Sequence, residues 1–339
     1  MKPSLMPCSS LQAVNGYRFC PADLNIPGRR PGVSAFMRIR NGADWLELTV
    51  RSHMPYFDEI VAVYNQCTDA TPEILFRLQR EFGSQRLRVI HYEDPVHPPG
   101  SEGHATTGPD SPNSLVNYYN FALASTQYAF ATKLDDDHLA IAETVRHVTD
   151  AIRNNEVSTR EMLSFSGLNL CRKSEPKATT LGVLRSDPIS GNGDIGFFRV
   201  TENTYFEHDR RFERFRRGVM KRRFSGFLYW HLKFLKHDMG FGNYELDKNP
   251  DSRYARRLKL LRCEASSFIG FRELSESRRP GIIGHALGVV SDKYSFIRDR
   301  DHALFAAFQD DSVAACVRRT AGEEHFEAFQ RRLHEIKVS

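Results

Sequence analysis

The chain has no long apolar run. No segment approaches the roughly 20 consecutive apolar residues that a bilayer-spanning helix needs, so the sequence predicts a soluble protein, at most peripheral to a membrane. Cysteine is sparse as well: Cys8, Cys20, Cys67, Cys171, Cys263 and Cys316 are scattered, with no CxxC and no paired spacing. That argues against a structural zinc site or a disulfide framework and fits a reducing cytoplasm. An excess of one charge is missing too, since 47 lysines and arginines stand against 42 acids in 339 residues, a net charge of +5. The whole molecule is therefore not built to coat nucleic acid, and any basic interface must be local. There is no internal repeat and no low-complexity tract. The opening MKPSLMPCSSLQAV carries prolines at positions 3 and 7 and no unbroken apolar segment, so no secretion signal is expected.

What is present is ordinary globular composition, 40% hydrophobic and 26% charged, enough for one large or two modest domains. Residues 1–31 are polar and proline-rich and read as a lead-in segment. From Val33 the pattern becomes regular. VSAFMRI reads as a strand and ADWLELTVRSHM as a helix; DEIVAVY has the unbroken apolar centre of a strand covered on both faces. TPEILFRLQREFG carries helix punctuation, with Thr71 as a cap, Pro72 in the first turn and Gly83 at the end. LRVIHY is a third strand, SPNSLVNYYNFALAS a third helix and YAFATKL a fourth strand. This alternation predicts an α/β fold with an open, mainly parallel sheet flanked by helices. The expected division is 1–31 as lead-in, 32–205 as a nucleotide-binding unit, and 206–339 as an acceptor-side, mostly helical region. The long loop from Glu93 to Pro112 is a candidate functional loop.

Ligands bind open α/β sheets at the carboxyl ends of their strands. There, directly after the fourth strand, stands KLDDDH, with Asp135, Asp136 and Asp137 in a row. Asp135 and Asp137 flank one residue and can converge on one hard cation, Mg²⁺ or Mn²⁺, through oxygen ligands. The alternative is that Asp137 caps the helix starting near Ala142 while the other two are solvated.

The stretch SAFMRIRNGADWLELTVRSHMPYFDEIVAVYNQCTDAT, then a helix containing asparagines, then KLDDDH, resembles the nucleotide-sugar half of the GT-A glycosyltransferases, in particular glycosyltransferase family 2. The resemblance covers about residues 33–200 and rests on three motifs in order: an apolar strand with its following turn, VYNQCTDAT from Val63 to Thr71, and an Asp-x-Asp signature. It implies that Asp135 and Asp137 hold a divalent cation against the diphosphate of a nucleotide-sugar donor, with Asp136 nearer the ribose or the sugar. Arg38 to Asn41 and the segment Tyr64 to Asp69, with Asn65 and Asp69 in it, would form the nucleotide pocket. Asn117 or Asn120 would sit near the diphosphate. Two departures stand out: Tyr64 occupies a position where the family often has an aspartate reading the base, and RNGAD replaces the frequent Asn-Glu.

An inverting transfer also needs a general base for the acceptor hydroxyl. The candidates are Asp194, Glu207, Asp209 and Glu213. Asp194 ranks first because Gly191, Asn192 and Gly193 let a sugar approach the backbone, and Asp209 follows; no Glu-Asp pair of the family type is present. FLYWHLKFLKHD reads as a helix, and the family habit of a late histidine ligand makes His231 a third candidate metal ligand. Between Arg210 and Lys236 arginines and lysines alternate with Phe212, Phe215, Phe224, Phe227, Tyr229 and Trp230. This pattern suits an anionic membrane surface carrying a lipid-linked glycan acceptor, or a negatively charged glycan; no nucleic-acid motif accompanies it.

Three rival readings remain on the sequence: an aspartate-nucleophile phosphatase, a sugar nucleotidyltransferase and a non-catalytic glycan-binding protein. In the first the Asp pair follows the first strand, whereas here three strands precede it. The second needs a glycine-rich loop that VSAFMRIRNG lacks, and the intact aspartate pair counts against the third. The expectation is thus a cytoplasmic, Mn²⁺- or Mg²⁺-dependent glycosyltransferase, inverting, acting in surface polysaccharide assembly. Its partners would be a nucleotide sugar and a glycan or lipid-linked glycan, with peripheral contact at the inner membrane face.

Overall fold

The computed structural model describes residues 12–175, 178–209, 213–248, 250–264, 268–278, 291–308 and 312–336. In chain order these form β1 (Gln12–Val14), β2 (Arg30–Ile39), α1 (Leu46–His53), β3 (Glu59–Tyr64), α2 (Thr71–Phe82), β4 (Leu87–Tyr92), α3 (Glu102–Thr106) and α4 (Leu115–Ala124). Then come β5 (Tyr128–Lys133), β6 (His138–Ala140), α5 (Ala142–Arg153), β7 (Glu161–Glu175), β8 (Ala178–Leu184), β9 (Ile189–Ser190), β10 (Gly196–Arg199), β11 (Tyr205–His208), β12 (Glu213–Arg216) and β13 (Lys221–His231). The remainder is α6 (Arg253–Glu264), β14 (Phe268–Ile269), α7 (Phe271–Ser277), α8 (Asp292–Ala307), α9 (Val313–Ala321) and α10 (Glu323–Glu335).

The main sheet runs β1-β4-β3-β2-β5-β10-β7-β13-β6. Its first five strands are parallel, as the βαβ alternation requires. β10 lies antiparallel between β5 and β7, β13 is parallel to β7, and β6 is antiparallel to β13. Both faces of the parallel half are apolar. In β3, Ile60, Ala62 and Tyr64 pack under α1, α2 and α5, while Val61 and Val63 pack under α4 on the other face. The two-residue period of a strand makes that division, and the continuous apolar run is its consequence.

Two local expectations and one alternative are corrected. Thr71 does not cap α2: its hydroxyl accepts the Gly42 amide (2.8 Å), and Asp69 Oδ1 accepts the Thr71 amide instead (3.1 Å). Asp137 does not cap α5, whose N-cap is Ile141 with no side-chain bond, because β6 intervenes between the triplet and that helix. FLYWHLKFLKHD is not a helix; Phe227 to His231 end β13, and only Lys233–Leu235 form a single 3-10 turn. A short run buried on both faces carries no period to separate strand from helix. Here Leu228 and Tyr229 join one core, while Phe227 and Trp230 join another formed with α8, α9 and α10. That second core includes Trp45 stacked on Phe329 at 5.5 Å, so the helical C-terminal region closes over the sheet. No helix among the described residues is long and apolar enough to cross a membrane.

Buried His53 on α1 makes stability depend on pH. Burial drops its imidazole to about 4, offset in part by the Thr49 carbonyl 2.8 Å from Nδ1 and reinforced by His325. Below its ordinary value of about 6.5 the unfolded chain takes up a proton that the folded chain refuses, so stability falls as pH drops through that window. Urea denaturation should show wild type losing about 2 kcal/mol more than His53→Leu between pH 7 and pH 5, from about 1.4 kcal/mol per pH unit. Equal losses in the two proteins would remove His53 as the cause.

Candidate active site

β5 ends at Lys133, and the chain turns through Asp135, Asp136 and Asp137 before crossing to the far edge of the sheet as β6. The triplet opens into a cavity of about 350 Å³ whose wall also includes Arg38, Asn65, Tyr118, Tyr119, Lys133, Glu213, His231, Lys233 and Lys236. Asp137 is buried and Asp135 and Asp136 are partly buried, so the three charges need cations beside them. Lys133 Nζ lies 2.7 Å from Asp135 Oδ2. Lys236 Nζ bridges the other two, 3.1 Å from Asp136 Oδ2 and 3.0 Å from Asp137 Oδ2. Burial raises all three carboxyls, but Lys133 holds Asp135 well below the usual range, and Lys236 does the same for Asp137. Asp136 moves the other way, up to about 6, because burial and the neighbouring Asp137 and Asp135 charges outweigh Lys236.

Gly42 makes the room for Asp136. A methyl group there would collide with Asp136 Oδ2 and with the Ile39 side chain, which gives the RNGAD turn a steric role. Asn41 before it takes a left-handed conformation (φ 54°), one that asparagine tolerates better than most residues.

The fourth side chain of the site is set by its partners. Asn169 on β7 donates from Nδ2 to the Asp187 carbonyl (2.6 Å), which leaves its Oδ1 facing His231 Nδ1 at 2.6 Å. An acceptor there requires the proton on Nδ1, so Nε2 of the neutral ring is a bare lone pair. It points at Asp137 Oδ1, 3.3 Å away, a buried oxygen that accepts no hydrogen bond among the described residues. Two lone pairs facing each other make a place that a metal ion, or a proton, would fill. His138, stacked on Tyr229 at 3.6 Å and held neutral by burial, is the third group, and the ligand atoms of Asp137, His138 and His231 lie within 4.8 Å of one another. These residues fit a divalent ion by chemistry and by spacing.

Of the residues singled out in the sequence, Arg38, Asn65, Asp135, Asp136, Asp137 and His231 meet at this cavity. Arg38 sets its guanidinium over the Tyr119 ring at 3.2 Å. Asn65 touches the wall, but its amide is spent on the carbonyls of Tyr92 and Asp94, both at 2.7 Å. The others serve elsewhere. Tyr64 lies in the core, stacked on His91 at 4.7 Å, because its place on β3 points it toward α2. Asp69 ties two loops by accepting the Ala43 and Thr71 amides, and Asn41 accepts the Thr68 amide. Asn117 clasps the lead-in segment at Tyr17 and Phe19, and Asn120 pairs with both backbone groups of Phe206. Asp194 and Asp209 line a separate groove of about 1230 Å³, and Glu213 is the late carboxylate that lines both that groove and the cavity. Lys236, Lys233 and Asn169 were not foreseen, because each comes from a segment remote in sequence from the triplet. Lys133 and His138, flanking the triplet in KLDDDH, were visible there.

Residues 27–176 match the family model of beta-1,4-N-acetylgalactosaminyltransferase (CgtA). That span holds β2 through β7 and the whole aspartate triplet. Among solved structures, glucosyl-3-phosphoglycerate synthase from Mycobacterium tuberculosis with Mn²⁺, UDP and glucosyl-3-phosphoglycerate is 15% identical, at a TM-score of 0.28 over 46% of this chain and 51% of that one. The same enzyme with Mg²⁺ and UDP gives 15% identity and a TM-score of 0.28 over 45% and 50%. A mycobacterial protein gives 14% and 0.30 over 44% and 46%. The chain thus spans about half the length of these structures. No curated protein matches it. The resemblance to the GT-A glycosyltransferases, first read from three motifs, is borne out over the matched span, and the mainly parallel, helix-flanked sheet is the fold expected of that class.

If Asn169 sets the tautomer of His231, Asn169→Ala should weaken Mn²⁺ binding by about 10- to 100-fold, the usual cost of losing a group that orients a ligand. The EPR signal of free Mn²⁺ during titration measures this, with circular dichroism checking the fold. An unchanged affinity would show that His231 needs no such partner.

Proposed function

We propose that this chain is a divalent-metal-dependent glycosyltransferase that moves a sugar from a nucleotide-sugar donor to a glycan or lipid-linked glycan. The observation that carries this reading is the facing pair of Asp137 Oδ1 and His231 Nε2, set at the carboxyl end of a central parallel strand inside a cation-lined cavity. Asp137, His231 and His138 would hold Mn²⁺ or Mg²⁺. When bound, the ion would supply charge stabilisation to the departing diphosphate. Arg38, Lys133, Lys233 and Lys236 add positive charge along the same wall, so a nucleoside diphosphate is the anion the cavity suits. Asp136, seated against Gly42, would receive a hydroxyl of the ribose or sugar.

The matched family's name specifies N-acetylgalactosamine and a β-1,4 linkage, which makes UDP-N-acetylgalactosamine the first donor to test. A β product from that α-linked donor requires inversion, hence a base on the acceptor side. Glu213 suits this role better than Asp194 or Asp209. It stands where the cavity meets the large groove, and its Oε1 is buried with no donor among the described residues. Asp194 is largely exposed and lies 3.7 Å from Arg222. Arg199, Arg214, Arg216 and Lys293 around the groove favour an anionic acceptor. The exposed Val219, at the turn between β12 and β13 with Arg216, Arg217 and Lys221 nearby, supports peripheral contact with a cytoplasmic membrane surface, and with it a role in surface polysaccharide assembly.

Asp135→Ala with Asp137→Ala should lower donor turnover by about 1000-fold or more, within the range lost when charge stabilisation is removed, with circular dichroism confirming that the protein assayed is folded. Nucleotide release from UDP-N-acetylgalactosamine and related sugar nucleotides is the assay, and retained turnover would refute the site assignment. Glu213→Gln should reduce kcat by about 100-fold or more with donor KM little changed, as expected for an acceptor-side base.

A further inference from the structure

The two oxygens of Asp137 have different partners. Oδ1 faces the bare nitrogen of His231, whereas Oδ2 carries the ammonium of Lys236 at 3.0 Å, and the same ammonium lies 3.2 and 3.1 Å from the two oxygens of Asp136. Lys236 is therefore already the counter-cation of Asp137, the carboxylate that a metal ion would need, and of its neighbour Asp136. Its backbone is held from outside the site. The neighbouring His237 gives both its amide (3.0 Å) and Nδ1 (2.7 Å) to Asp44 Oδ2 in the loop after β2, and Arg332 on α10 donates to the Asp44 carbonyl (2.9 Å). The Leu232 amide donates to the Asp137 carbonyl (2.7 Å), closing the segment onto the triplet. The stem of Lys236 is fixed, while its ammonium sits at the end of four rotatable bonds inside the cavity.

An ion entering between Asp137 and His231 would bring positive charge up against that ammonium on one carboxylate. Around it the cavity offers the cations Lys233, Arg38 and Arg40 and two further carboxylates, Asp135, already paired with Lys133, and Glu213. Beyond Glu213 a displaced ammonium therefore finds no uncommitted anion among the described lining residues until a ligand brings one. A diphosphate supplies that anion.

Resting on the metal-dependent reading above, we propose that Lys236 is a resident counter-cation which the divalent ion displaces from Asp136 and Asp137, and whose freed ammonium then binds the donor's phosphate. Metal and nucleotide binding are thereby coupled, each strengthening the other by the same factor. Lys133 does not share this role, because its partner is Asp135 and not the carboxylate facing His231.

The test is Mn²⁺ titration of the full chain by EPR, with and without UDP, in wild type, Lys236→Met, Lys236→Gln and Lys236→Arg, each checked by circular dichroism. Wild type should bind Mn²⁺ weakly alone and at least tenfold more tightly with UDP. The two neutral variants should bind Mn²⁺ alone at least tenfold more tightly than wild type and lose most of the gain from UDP; Lys236→Arg should keep the wild-type pattern. Equal or weaker Mn²⁺ binding by folded neutral variants would overturn the counter-cation role while leaving the metal site intact. Absence of Mn²⁺ binding from all four proteins would instead overturn the metal-dependent reading, and this proposal with it.

Discussion

Three adjacent carboxylates at the end of β5, one buried and two partly buried, are the constraint around which the site is assembled. Taking one ion out of water costs several kcal/mol even after relaxation, so the triplet survives only where cations are delivered to it. One comes from its own strand, Lys133. The other, Lys236, reaches it from the turn after β13, about 100 residues later, on the same stretch that brings His231 to Asp137. The electrostatic debt of the aspartates and the docking of β13 against β6 and β7 are thus one problem with one solution. The Leu232 amide on the Asp137 carbonyl is its backbone component.

That solution is secured from behind. Trp230, fully buried beside His231, donates its indole NH to Thr320 on α9 (2.9 Å) and packs with Phe271 and Phe308. Alternation along β13 sends Trp230 into the helical layer and His231 toward the triplet, so the apolar core fixes where the imidazole points. Arg332 and His237 meet at Asp44, which joins α10, the loop after β2 and the segment carrying Lys236. Helices α9 and α10 thereby position cavity residues from behind, while α6 adds Tyr254 to the cavity wall.

The two openings differ in chemistry. The smaller is dense with buried charge of both signs and suits a small, multiply charged ligand. The larger is wide and bordered by arginines, several of them already paired: Arg216 with Glu207, and Arg217 and Arg222 with Asp292. Glu213 at their junction is the group through which the two could act on one reaction.

Much of the parallel half was legible in the sequence, because helix and strand periods are local and α2 and β3 carry them plainly. KLDDDH was legible as a site for the same reason: three like charges at a strand end have no inexpensive structural use. The Asn41-Gly42 turn could be seen, but not that Gly42 exists to admit Asp136. Tyr64, Asn117 and Asn120 were read as ligand contacts from motif position alone. Which face of β3 or α4 meets solvent is set by the layers packed on it, and those layers claimed all three. The end of β13 is not legible as a strand, because Phe227 to Trp230 are buried on both sides and carry no period. The sequence by itself determined the alternating sheet and the place of the acidic triplet, since both depend on neighbours within a few residues. Only the tertiary structure decided which oxygen of Asp137 faces a bare imidazole and which holds Lys236, because charge balance in a buried site is settled by groups that meet in space.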